Sequence, residues 1–127
     1  MKCGLKTFLV LAVIAGGPCA ASPSAGFDPV RAFAECAGRL SAKVEHSWLM
    51  GGNDEEAQVL RESFVDLLAA IPHDVPGRTV LDWRIRAKQD QSRLLSIATF
   101  HLDDARRTQA KSRAFMLSQS CSSLLLG

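Results

Sequence analysis

Apolar residues recur at alternating intervals of three and four along most of residues 28–125, and strict apolar–polar alternation is absent. That rhythm is the signature of helices with one buried stripe, and β-branched residues are too sparse to favour strands. The predicted fold is all-α. Val30, Phe33, Ala37, Leu40 and Val44 share one face of a first helix over about 28–50. Asp28-Pro29 supplies its cap and first-turn proline, and Gly51-Gly52 its stop. Asn53 is placed as the cap of a second helix, with Asp54-Glu55-Glu56 in the first turn, where the dipole favours negative charge. Its stripe is Ala57, Leu60, Phe64, Leu67, Leu68 and Ile71, and Pro72 ends it.

The segment 72–77, with Pro72, Pro76 and Gly77, reads as a connection. Thr79 is placed as the cap of a third helix carrying Val80, Trp83, Ala87, Leu94, Ile97 and Ala98, with Gln91 interrupting the stripe. No glycine or proline marks its end. A turn is placed at 100–104 because Asp103 or Asp104 is a good cap, and because one helix over 79–125 would be about 70 Å long. The fourth helix then aligns Ala110, Ala114, Leu117, Cys121 and Leu124. Four amphipathic helices with short connections predict an up-down-up-down four-helix bundle, one domain over 28–127.

The first 21 residues have a different character. Lys2 and Lys6 precede an apolar stretch over 7–15; Gly16-Gly17-Pro18 break it, and Cys19-Ala20-Ala21 are small. Positive, apolar, then small is a secretory signal peptide, cleaved here after Ala21. Residues 22–27 follow as a flexible start, and the mature protein is expected in the periplasm or secreted. The apolar stretch is too short for a permanent anchor, so no transmembrane segment is expected after cleavage. The alternative is a chain lipid-anchored through Cys19. Pro18 before that cysteine fits a lipoprotein cut poorly.

Cleavage removes Cys3 and Cys19 and leaves Cys36 and Cys121, 85 positions apart. In an oxidising compartment two cysteines read as one disulfide. In the bundle the first helix starts, and the fourth ends, at the same end. Cys36 lies about 12 Å along the first helix and Cys121 about 6 Å from the end of the fourth, so the two sit at similar height. Closing so long a loop is worth about 4–5 kcal/mol on the chain-entropy model.

No catalytic constellation is present: no GxSxG, no HExxH, no glycine-rich phosphate loop and no CxxCH. The chain is read as non-enzymatic and without a cofactor. Glu35, Glu45 and Asp90 are the carboxylates an enzyme would use, and nothing in the sequence shows any of them buried. His46 and His101 fall at one end of the bundle, with Glu45 or Asp103 near, a set that could hold a divalent transition metal. Structural zinc takes four ligands, and only two convincing ones are present. Trp83 is placed in the core. Trp48, next to Leu49 and Met50, either caps the core or sits on an apolar patch used for binding.

Fifteen basic residues less Lys2 and Lys6 leave 13, against 13 acids, which removes a global electrostatic case for nucleic acid. The charges are divided, however: residues 28–77 hold nine acids and four bases, and residues 78–127 the reverse. Arg84 and Arg86 on the third helix, and Arg106 and Arg107 on the fourth, join Trp48 as a candidate interaction patch for an envelope protein or an anionic envelope component. The plainer reading is two solvated faces whose opposite signs help the two halves dock. No motif belongs to a characterised family; in general make-up the chain resembles small exported helical proteins of bacteria. The predicted function is a non-enzymatic binding or interaction module of the bacterial envelope. The second reading is a small-ligand or metal carrier with a site between helices, near His46, His101 and Gln91.

Overall fold

The computed structural model describes residues 26–127. The leader expected over 1–21, and most of the start expected over 22–27, lie outside the described residues. Four helices and no strand occur among those described: α1 (Pro29–Leu49), α2 (Glu55–Ala70), α3 (Gly77–Phe100) and α4 (Asp104–Leu126). The break between α3 and α4 falls at 101–103, inside the turn expected there.

The helix ends follow local chemistry. Asp28 caps α1 by accepting a hydrogen bond from the Arg31 backbone amide at 3.2 Å. Gly51, at φ +76°, makes the left-handed residue after α1 that a side chain would strain. Two expected caps are corrected. Asp54, not Asn53, caps α2, accepting from the Ala57 amide at 3.0 Å. Asn53 Oδ1 instead accepts from Gln58 and, at 3.4 Å, from the Trp48 indole. Thr79 lies inside α3, which starts two residues earlier; the Pro76 carbonyl accepts from the Thr79 and Val80 amides, and no side chain caps the helix. Ile71 is extended, as a residue before proline must nearly be. Asp103 caps α4 through the Arg106 amide at 2.8 Å.

Cys36, Ala37, Leu40, Val44, Ala57, Phe64 and Cys121 form the buried core, with Phe33, Leu60, Leu67 and Leu68 packed against it. The expected stripes of the first two helices are therefore the ones that pack. Helix α1 is enclosed on two sides, because Ala34, Gly38, Ser41 and Ala42 are buried as well. This second face meets α3. A Cβ built on Gly38 would lie 2.1 Å from the Arg84 carbonyl oxygen, so the two backbones touch where the side chain is missing. Pairing is most extensive between α1 and α3, followed by α1 with α2 and α3 with α4; α1 and α4 touch over much less. The small residues of α1 are the reason: they let α3 approach more closely than any helix bearing Leu at those positions would.

Cys36 and Cys121 are disulfide-bonded, with Cα atoms 5.5 Å apart. Three stripe positions differ from expectation. Gln91 is 1% exposed and continues the α3 stripe rather than interrupting it. Trp83 is half-buried, not core, with the Arg31 guanidinium 5.6 Å from its ring centroid. Leu124 is exposed; Ser118 and Cys121 take the buried side of α4.

Candidate functional site

A groove of about 350 Å³ is lined by all four helices. It opens where α1 and α4 part. The disulfide pins these helices together at Cys36 and Cys121. One and two turns further along α1 come Leu40 and Lys43; along α4, in the reverse direction, come Ser118, Ala114 and Lys111. Leu60 and Glu56 of α2 form the outer wall, and Gln91 and Leu95 of α3 complete the lining. The volume lies at the lower end of the roughly 300–1,000 Å³ typical of small-molecule sites.

Gln91 is the polar residue that stands out in this lining. Its Nε2 donates to the Ala114 carbonyl at 3.0 Å and to Ser118 Oγ at 3.2 Å. The Ser118 hydroxyl passes its own proton to the Ala114 carbonyl at 3.1 Å. That chain fixes the amide orientation, because both neighbours use their acceptors on Nε2. Its Oε1 is buried with no hydrogen-bond partner among the described residues, and Gln91 lines both this groove and a neighbouring cleft with Arg39 and Arg113. A buried acceptor left unpaired costs about 1–3 kcal/mol. The rim carries Lys43, Glu56 and Lys111. Lys43 is paired with Asp54 at 3.2 Å. Lys111 has no carboxylate within ion-pair distance among the described residues.

A second cleft, of about 430 Å³, lies between Arg31, Glu35, Arg39 and Asp90. Its chemistry is already internally matched: Arg31 and Arg39 share the two Glu35 oxygens at 2.9 and 3.0 Å. The Glu35 hydrogen bond holds the Arg31 guanidinium above its ordinary pKa. Two of the carboxylates an enzyme would have used are thus in ion pairs, Glu35 here and Glu45 with Lys88 at 2.6 Å. Asp90 is exposed.

The expected histidine pair is employed in holding helix ends. Thr99 gives its hydroxyl proton to the Leu95 carbonyl at 2.9 Å, so at 3.1 Å the His46 Nε2–H donates to Thr99 Oγ1. His101 Nδ1 accepts from the Asp103 amide at 3.0 Å. No group of three or more His, Cys, Asp or Glu suited to a metal ion occurs among the described residues.

The expected arginine patch is divided. Arg84 and Arg86 stand in the first half of α3, and Arg106 lines a cavity with Leu94, Ile97 and His101 from its second half. Fifteen residues of helix separate Arg86 from His101, about 22 Å. Arg86 is paired with Asp82 at 2.9 Å, and Arg107 with Asp104. Trp48 is 52% exposed, with Leu49 and Met50 exposed beside it. The His46–Thr99 bond brings this end of α1 beside the end of α3, where Phe100 and Leu102 are exposed too. A ligand site was expected near His46, His101 and Gln91; of the three, only Gln91 lines this groove, and its place inside an apolar stripe was the signal in the sequence. No helix of the described residues is long and apolar enough to cross a membrane.

Comparisons with protein-family models, with curated proteins and with solved structures all return no match to this chain.

Proposed function

We propose that this protein is an exported, non-enzymatic binding module of the bacterial envelope, and that the groove lined by all four helices takes an envelope component as its ligand. The observation that carries this reading is Gln91 Oε1, an unpaired acceptor buried beside an otherwise largely apolar groove. The two hydrogen bonds that tie Gln91 to α4 use Nε2 alone, which leaves Oε1 as the acceptor that a ligand would satisfy. Export rests on the three-part leader over 1–21, and agrees with a chain held by a disulfide.

The bundle we propose is up-down-up-down. Phe33 beside Phe64 and Lys43 on Asp54 support α1 and α2 running in opposite directions. Arg31 over Trp83 and His46 on Thr99 support α1 and α3 running the same way. Leu94, Ile97 and His101 facing Arg113, Ala110 and Arg106 support reversal into α4.

The groove is tested with N-phenyl-1-naphthylamine, a neutral apolar dye that fluoresces when shielded from water. The mature oxidised protein should bind one equivalent, and Leu95→Asp, which charges the lining, should abolish binding while the helical circular dichroism persists. Binding unchanged in Leu95→Asp, or no binding by the parent protein, would overturn the groove as the site. Export is tested by the mass of the accumulated protein: a chain beginning at Ser22 is expected, and a full-length cytosolic chain would end the proposal.

A further inference from the structure

We infer that the groove is built for a single-chain anionic amphiphile, an acyl carboxylate carrying a hydroxyl group close to its head. This rests on the groove being the binding site, as proposed above.

Shape comes first. From Ser122 to Lys111 the groove follows eleven residues of α4, about 16 Å. With a volume of about 350 Å³ over that length it is narrow, and suits one extended chain rather than a fused-ring body. Leu40, Leu60, Leu95, Ala98, Ala114 and Phe115 provide apolar surface along it. Phe115 is 66% exposed, an apolar wall with none of the described residues against much of it. At about 25 cal/mol per Å² of apolar surface removed from water, chain burial is the main driving force.

Charge sets the head. Lys111, Lys43 and Glu56 are the charged residues of the groove lining. Lys43 is shared with Asp54. Glu56 is in the first turn of α2, where the partial positive charge of the helix N-terminus already balances it. Lys111 has the opposite surroundings. It follows Arg106 and Arg107, precedes Arg113, and sits in the N-terminal half of its own helix. Its ammonium is the uncompensated charge on the rim, and a carboxylate is its complement.

Gln91 sets the third feature. It bonds α4 at Ala114 and Ser118, one and two turns from Lys111, so it lies between the head and the middle of the chain. Its Oε1 is an acceptor only, sealed from bulk water. A plain methylene chain leaves it unpaired; a hydroxyl near the head donates to it once the groove widens to admit the chain. The amide thus distinguishes a hydroxylated chain from a plain one.

The experiment is displacement of N-phenyl-1-naphthylamine from the mature oxidised protein by 3-hydroxydodecanoate, dodecanoate and dodecyltrimethylammonium, each below its micellar concentration. The hydroxylated anion should displace best, ahead of dodecanoate by about twofold to tenfold, the span of one net hydrogen bond. The cation should be weakest. Lys111→Gln should erase the preference for anion over cation, and Gln91→Leu the preference for the hydroxyl while dodecanoate still binds. Gln91→Met serves as a second variant if leucine perturbs folding, and comparison of the three probes on the parent protein needs no variant. Equal displacement by all three, or a hydroxyl preference that survives Gln91→Leu, overturns the ligand class. Dye binding that none of the amphiphiles competes for also overturns it, and leaves the groove itself standing. Absence of dye binding removes the groove.

Discussion

Gly38 has no side chain because the Arg84 carbonyl oxygen occupies the place where one would be, 2.1 Å from a built Cβ. In an exposed helix, replacing glycine by alanine stabilises by about 1 kcal/mol. At this position Gly38→Ala should do the opposite, lowering stability by about 3 kcal/mol as α1 and α3 are forced apart, with denaturant titration as the readout. The sign of the effect, more than its size, distinguishes backbone contact from an ordinary helix position. Gln91 gives the converse case. Gln91→Leu removes one unpaired acceptor and two hydrogen bonds at once, and should leave stability within about 1 kcal/mol of the parent. A large loss would show that the amide is held for the fold rather than for a ligand.

At the scale of the helices, the caps and the side chains that tie neighbouring helices decide behaviour. Asp54 does two jobs, capping α2 and pairing with Lys43 of α1. Asp54→Ala should therefore cost about 1 kcal/mol, while Asn53→Ala changes the melting temperature little. Helix α4 is the least committed element. It packs on α3 and only lightly on α1, and it exposes Phe115, Met116 and Leu126. Amides of α4 should exchange faster than those of α1 in the oxidised protein, and the gap should widen on reduction, as followed by hydrogen exchange.

For the molecule as a whole, the disulfide ties the first helix to the last across 85 positions. Its loss, as Cys36→Ser with Cys121→Ser, should lower stability by about 4–5 kcal/mol on the chain-entropy model. For a domain of this size that is a large share of the total. Melting of the parent with and without reductant is the direct check; equal temperatures would remove the bridge from the account. Because the bridge joins the two helices that carry Leu40 and Ser118 of the groove, reduced protein should bind the apolar dye more weakly even at temperatures where it stays helical.

What could be read without coordinates is local. Four helices, the stops at Gly51 and Pro72, the turn before Asp104 and the pairing of the last two cysteines all follow from spacing within a dozen residues, or from counting thiols. These features depend on one helix at a time, and a helix face is written in its own sequence. The centre of the molecule is different. That α1 lies deepest against α3, that Gly38 is a point of backbone contact, that Gln91 is sealed in and that Arg106 falls beside the second half of α3 rather than beside Arg86 all depend on two helices at once. Ala34, Gly38, Ser41 and Ala42 look unremarkable as a string, because smallness states only that something can come close. Which helix does so is settled by packing shape against shape across residues distant in the chain, and no single stretch contains that information.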